Sequence, residues 1–258
     1  MATSLPNPDH PTSDGLHVRV LDRDPELGRG LPPDQLALAS RHLVARTRQL
    51  EPGEWTEPWD GQEDPIASLG ALVLDGLLLR VQRIGTVASA ELLGAGDMLR
   101  PWVIGDEGSS LPASARWQVL QPTTVAVLDR RFTAIAGRWP EVTSSLVERS
   151  VHRARLLAFQ MAIGNVRRVD ARLLLLMWRL ADRWGRVTGD GIVLPLRLTH
   201  GWLAHLVGAQ RPSVTTALGN LAGAGRVERL DDGSWLLRGD PPDFGEPLFA
   251  AGPSGTTA

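Results

Sequence analysis

From Arg211 the chain runs RPSVTTALGNLAGAG, and a helical period of roughly 3.6 residues puts Val214, Leu218 and Leu221 on one side of a helix. The opposite side then carries Arg211, Ser213, Thr215, Thr216 and Asn220, with Pro212 in the first turn, where its missing N–H costs nothing. Those residue types suit one kind of chemistry. An Arg on an exposed helical face can donate two hydrogen bonds to the edge of a guanine, and Ser or Thr hydroxyls reach bases or phosphates of a duplex. Directly upstream, Thr199 is placed to cap a helix over 200–207 whose apolar residues are Trp202, Leu203, Leu206 and Val207, and Gly208 ends it. The short turn Gly208-Ala209-Gln210 completes a helix-turn-helix. His200 and Gln210 stand at the two helix starts, where they are expected to touch phosphate or cap helices; capping is the expected role of Thr199. Downstream, RVERLDDGSWLLRG predicts a hairpin around Asp232-Gly233, the wing of a winged module.

Helix pairs joined at a glycine turn also occur in ordinary bundles, so charge is needed to separate the cases. Segment 165–239 holds 11 Arg against 6 Asp plus Glu, a local +5, while the remainder carries −7 of the total −2. A basic module attached to an acidic one fits nucleic-acid binding. Other chemistries find little support. The absence of cysteine rules out disulfides, thiolate catalysis, cysteine-ligated zinc and iron–sulfur clusters. His42 and His152 are isolated, and no carboxylate pair, Ser-His-Asp set or phosphate loop has catalytic spacing, so neither an enzyme nor a cofactor is expected. The N-terminal MATSLPNPDHPTSDG does not resemble a secretory signal, and no apolar run approaches about 18 residues, so the expected location is cytoplasmic, with no membrane partner.

The elements that must position the helix-turn-helix divide the chain into five parts: a flexible tail over 1–25, a β-rich domain over 26–139, a long helix over 140–165, the winged module over 166–240 and a second tail over 241–258. The β-rich part breaks at Gly and Asp turns into LVART, PGEW, ALVLDGLLLRVQRI, TVASAELL, GAGDML, WQVL and TVAVLD, the pattern of a compact sandwich or roll. Pro140 starts the long helix. Along it Val147, Val151, Ala154, Ala158 and Met161 repeat at four, three, four and three residues, one heptad seam. Such a seam packs a helix either against its own copy in a homodimer or against its own domain; the two alanines, which permit close approach, favour the first. A further helix from Asp170 to Gly185 carries Leu173, Leu174, Met177, Leu180 and Ala181 as its buried stripe, and Gly185 is placed for a left-handed terminus. GIVLPLRL then predicts a strand.

The pattern TxxxLAxLVGAxRPSVTxALxxLxxxGxVxR, running from Thr199 to Arg229, resembles the DNA-binding signature of the family of the cyclic-AMP receptor protein and the fumarate–nitrate reduction regulator, the Crp/Fnr family. Gly53-Glu54 in LEPGEW, LVLDGLLLRV and ELLGAGDML are similar to that family's β-roll landmarks, so the resemblance spans roughly residues 27–239. It implies an α+β fold: an N-terminal β-roll related to cyclic-nucleotide-binding domains, a dimerisation helix and a C-terminal winged helix-turn-helix. It further implies a dimeric transcription regulator that binds double-stranded DNA and works with RNA polymerase, with Arg211 on the family's base-reading Arg. Ser213, Thr215 and Thr216 are weaker candidates for base contact. Pro212 stands where the cyclic-AMP receptor has a base-contacting Glu, and Thr216 where it has a second Arg, so the operator is not expected to be that receptor's.

Cyclic-nucleotide binders of the family present a Gly-Glu pair and, later, an Arg-Ser or Arg-Thr pair whose Arg neutralises the phosphate. Here Arg100-Pro101 and Ala113-Ser114 occupy those places. An unpaired buried phosphate costs several kcal/mol, so cyclic-AMP binding in the usual mode is not expected. Arg100, Ser114 and Arg116 are the candidate pocket residues, with Arg100 or Arg116 the candidate substitutes for the missing cation. Either a different small-molecule effector or an effector-free scaffold is compatible with the sequence. Trp55, Trp59, Trp102 and Trp117 are expected in the core rather than around a ligand. A different class of reading keeps a ligand-binding protein whose winged module contacts protein instead of DNA.

Overall fold

The computed structural model describes residues 16–56, 67–100 and 113–242. The chain divides into two compact units, 1–159 and 160–258.

In the first unit the strands β1 (His17–Arg19), β2 (Val44–Leu50), β4 (Gly70–Ile84), β5 (Val87–Gly94) and β7 (Ala113–Leu128) form an antiparallel sheet in the order β1-β2-β7-β4-β5. Two short strands attach to it, β3 (Gly53–Trp55) on β7 and β6 (Met98–Leu99) on β4. Helices α1 (Val20–Arg23), α2 (Pro33–His42), α3 (Arg130–Ala136) and the start of α4 (Pro140–Gly164) lie in the same unit. Successive strand side chains point to opposite faces, and both faces are covered here. Ala71, Val73, Val125 and Val127 enter one core with Leu78, Leu93 and Trp117. Their neighbours Leu72, Leu74, Ala126 and Leu128 enter another with Phe132, Trp139, Val142 and Leu146. Double burial explains why ALVLDGLLL is a nearly unbroken apolar run rather than an alternating one.

The runs WQVL and TVAVLD are one strand, β7, despite Pro122 between them. Proline donates nothing to a ladder and is confined to edges and bulges. The β4–β7 register accordingly shifts between Val73 and Leu78. The irregularity is closed by side chains: Thr123 Oγ1 accepts from Leu77 N–H at 3.1 Å, and Asp75 Oδ1 accepts from Thr124 N–H at 3.0 Å. Gly76 is required there, since a Cβ would lie 2.3 Å from Thr123 Oγ1 and 2.4 Å from the Pro122 carbonyl.

One boundary changes and one helix is added. Residues 16–25 are not a tail: β1 pairs with β2, and Val20 and Leu21 are buried in the core. Helix α2 has no counterpart among the sequence-based expectations, although Pro33 at its start and Asp34 in its first turn are start signals of the ordinary kind. The remainder of the expected N-terminal tail, and the C-terminal one from residue 243, lie outside the described residues, as do Trp59, Pro101 and Trp102. Trp55 and Trp117 pack edge-to-face at 5.9 Å within the core, as expected.

Helix α4 begins at Pro140 as predicted, and Val142 and Leu146 dock it on the first unit. Two arginines one turn apart extend that docked side. Arg149 donates to the Gly96 carbonyl and to Asp24 (2.9 and 2.7 Å), and Arg153 donates to the Met98 carbonyl (2.8 Å) and twice to Glu91 (3.0 and 2.6 Å). The seam of Val147, Val151, Ala154, Ala158 and Met161 is offset from this side and stays exposed; Val147, Val151 and Met161 are 56, 45 and 72% accessible.

The second unit holds α5 (Val169–Trp184), α6 (His200–Val207), α7 (Arg211–Gly223) and a four-stranded antiparallel sheet. Its strands are β8 (Arg186–Thr188), β9 (Gly191–Leu194), β10 (Val227–Arg229) and β11 (Trp235–Leu237), in the order β10-β11-β9-β8. The predicted stripe of α5 is buried throughout. Gly185 ends α5 in an extended conformation (φ −69°, ψ 148°) rather than a left-handed one. Its glycine is needed for proximity instead, because a Cβ would meet the Ala181 carbonyl at 2.4 Å. The predicted strand stops at Leu194, before Pro195.

Candidate nucleic-acid interface

Helix α6 is capped as its sequence requires: Thr199 Oγ1 accepts from Trp202 N–H at 3.2 Å. At its other end Gly208 turns left-handed, φ 62° and ψ 48°, and redirects the chain into α7. The last α6 carbonyls are gripped by side chains. Gln160 donates to the Leu206 carbonyl at 2.9 Å, and Arg172 reaches the Val207 and Gly208 carbonyls at 3.4 and 3.1 Å. These donors fix the turn, because terminal carbonyls have no partner within their own helix.

Helix α7 buries Val214, Ala217, Leu218 and Leu221. Arg211, Pro212, Ser213, Thr215, Thr216, Gly219 and Asn220 are exposed, so the polar face is the one read from the sequence. Gln210 precedes α7 but makes no capping bond with its side chain. Two hydroxyls turn back on the helix: Thr215 donates to the Arg211 carbonyl at 3.1 Å and Thr216 to the Pro212 carbonyl at 3.3 Å. Each is thereby less available as a donor to an outside group, leaving Arg211 and Ser213 as the side-chain donors at the helix start with no partner among the described residues.

The hairpin is wound differently from the tight two-residue turn suggested by Asp232-Gly233. Leu230 N–H donates to the Ser234 carbonyl and Gly233 N–H to the Leu230 carbonyl, both at 2.9 Å. This is a three-residue loop whose last position, Gly233, has φ 85°. The Asp232 carboxylate accepts from the Ser234 hydroxyl and N–H, which hold it below the usual carboxylate range.

Thr199, His200, Gly201, Arg211 and Arg229 line one open hollow of about 520 Å³. Arg229 is the contributor that the sequence reading passed over; it closes the quoted signature but received no role. Neither Arg211 nor Arg229 pairs with a carboxylate among the described residues, while Arg229 lies over the Trp235 ring at 5.6 Å. The hollow is therefore cationic. His200 Nδ1 lies 3.0 Å from Thr215 Oγ1, which joins the two helices at its edge. Burial first, then Arg229 and Arg211, push the His200 imidazole below its ordinary range.

The candidate pocket residues of the first unit are not brought together. Arg100 follows β6, whose Leu99 pairs with Ala71 on β4, whereas Arg116 and Ser114 pair with Val81 and Arg83, ten and more positions further along the same strand. Arg100 donates to the Ser68 carbonyl at 2.6 Å, and Arg116 faces Glu54 at 3.8 Å, 75% exposed. Neither guanidinium is held as a substitute for the missing anion partner. Among the described residues no group of His, Asp and Glu is arranged to hold a metal ion. No described helix is long and apolar enough to cross a membrane.

An antiparallel β domain, a long helix and a winged helix-turn-helix together define a two-part architecture with the winged module at its C-terminal end. Residues 168–238 match the family model of the Crp-like helix-turn-helix domain. The regulatory protein CysR of Synechococcus elongatus is 30% identical over 150 residues, which cover 57% of this chain and 65% of that relative, just under two thirds of its length. In fold, a CooA variant from Carboxydothermus hydrogenoformans aligns with a TM-score of 0.57 at 20% identity, covering 75% of this chain and 83% of that one. A transcriptional regulator of the CRP/FNR family from Thermus thermophilus aligns with a TM-score of 0.53, also at 20% identity, covering 75% and 93%. The C-terminal domain is thus a Crp-like helix-turn-helix domain, and the chain has the fold of the Crp/Fnr regulators.

Proposed function

We propose that the protein is a dimeric transcription regulator that binds double-stranded DNA in a sequence-specific manner through α7 and the β10–β11 wing. The observation that carries this reading is the exposed polar face of α7, whose Arg211 has no carboxylate partner among the described residues, standing on a fully buried apolar underside. A helix so anchored presents its side chains rigidly to a major groove, and Arg211 is the residue suited to guanine. Support for the homodimer comes from the exposed seam Val147, Val151, Ala154, Ala158 and Met161, since the docking of α4 on its own unit uses other residues. For the sensor-like unit, the engagement of Arg100 with backbone carbonyls and of Arg116 with Glu54 supports the absence of cyclic-AMP binding in the usual mode. Any effector is then of another chemistry, and contact with RNA polymerase would follow from bound DNA.

The test is fluorescence anisotropy on duplexes from the chain's own upstream region at two salt concentrations, with and without cyclic AMP. The expected result is tight binding that weakens steeply with salt, because displaced counterions return to the phosphates, and that the nucleotide leaves unchanged. Salt-insensitive or absent binding would instead favour a winged module that contacts protein. Binding seen only with cyclic AMP would overturn the reading of the sensor-like unit.

A further inference from the structure

We propose that the hollow formed by α6, α7 and β10 is a proton-coupled phosphodiester site, in which His200 takes up a proton as a DNA backbone phosphate seats against Arg229, beside the base-reading Arg211. This rests on the DNA-binding reading and adds a chemical regulator to it. The hydrogen-bond network suits one tautomer of the neutral ring. The Thr215 hydroxyl has one proton, and the Arg211 carbonyl, which only accepts, takes it at 3.1 Å. The 3.0 Å contact between Thr215 Oγ1 and His200 Nδ1 therefore has the imidazole as donor, so Nδ1 carries a proton and Nε2 bears the lone pair of the neutral ring.

In the free protein the ring has reason to stay neutral. It is partly buried, and the charged groups acting on it, Arg229 and Arg211, are both cations. A phosphodiester in the hollow weakens that field, since its single negative charge lies beside the ring and offsets one of the two guanidinium charges. It also prefers a donor to a lone pair at its edge, and protonation at Nε2 supplies one without disturbing the Nδ1–Thr215 bond. The proton comes from solvent, the phosphate stays ionised, and no covalent bond changes between heavy atoms. Gly201 adds no side chain that would occupy the same space.

The sign follows from linkage. A base whose pKa rises on binding adds affinity that is complete below the pKa of the free protein and is lost as pH climbs through the pKa of the complex. Affinity for duplex DNA should therefore rise as pH falls, by up to about tenfold per pH unit per half-site across that window. The experiment measures duplex affinity from pH 5.5 to 8.0 at constant ionic strength for the wild type, for His200→Asn, which cannot titrate but keeps an amide near the Nδ1 position, and for His205→Asn, which lies outside the hollow. The expected outcome is a pH slope in the wild type and His205→Asn that His200→Asn lacks, whatever its absolute affinity. In parallel, the His200 ring resonances are titrated with and without sulfate, a divalent oxyanion that does not itself titrate in this range. An upward shift of the His200 midpoint in sulfate is expected.

Duplex binding that is equally strong at every pH, or a slope that survives His200→Asn, overturns the proton coupling while leaving the DNA-binding reading intact. Failure to bind any duplex sinks that reading instead. The sulfate titration then decides the site by itself, with an unmoved His200 midpoint counting against it.

Discussion

Replacing Arg211 with alanine is expected to weaken binding to the preferred duplex by about 1–3 kcal/mol per half-site, roughly 5- to 150-fold, and to erase discrimination at one base pair in each half-site. The expectation rests on position as much as on residue type. Arg211 begins α7 on its exposed face, and no carboxylate among the described residues competes for its guanidinium. A fork of donors held on a rigid helix start can match a guanine edge in two places at once, which an incorrectly placed base cannot accept. Measuring Arg211→Ala against a set of single-base operator variants separates the two roles. Loss confined to one position confirms base reading; equal loss on every sequence makes Arg211 a phosphate contact in the same hollow as Arg229.

The second large effect concerns stability. Glu91→Ala is expected to cost about 3–5 kcal/mol, read from urea denaturation, because breaking a buried ion cluster leaves its partners uncompensated. The Glu91 side chain is 8% exposed and accepts from Arg80 at 2.6 Å and from Arg153 at 2.6 and 3.0 Å. Its removal strands two guanidinia that are themselves only 29% and 20% exposed. Attraction inside the cluster is offset by the cost of desolvating three charges, so replacing all three residues together with apolar ones of similar volume should recover most of the loss. A cost below about 1 kcal/mol for Glu91→Ala would mean that the cluster behaves like a screened surface pair. Arg153 comes from α4 and Glu91 from β5, so the same cluster anchors the long helix whose other side carries the exposed seam.

The parts of this molecule that are legible in its sequence are those specified locally. Thr199 as a cap, Gly208 as a terminator and the split of α7 into apolar and polar faces each depend on residues within a few positions of one another. The α5 stripe and the start of α4 at Pro140 are of the same kind. Expectation and structure part where a distant partner changes the meaning of a local signal. Pro122 reads as the end of a strand, but Thr123 and Asp75 supply the hydrogen bonds that let β7 continue past it. Residues 16–25 read as polar enough for a tail, yet β2, more than twenty residues onward, gives β1 its ladder.

The same distinction applies to the site. Arg229 joins Arg211 only because β10 folds back beside α7, and the His200–Thr215 bond spans fifteen residues across the helix-turn-helix. The Glu91–Arg153 cluster spans sixty-two positions. No periodicity or spacing announces such pairs. The expected grouping of Arg100, Ser114 and Arg116 fails for the converse reason: closeness along an aligned motif does not survive the register of β4, which holds β6, just before Arg100, at one end and the Ser114–Arg116 stretch of β7 at the other.

If a symmetric pair of α7 helices reads DNA sequence, selection of duplexes from a random pool, followed by sequencing of the bound fraction, enriches an inverted repeat whose half-sites are centred about one helical turn, roughly 10 base pairs, apart. Val151→Glu, which places charge in the exposed seam, is expected to select an isolated half-site or nothing. Retention of the wild-type protein on all duplexes alike, with no sequence enriched, would contradict sequence reading by α7.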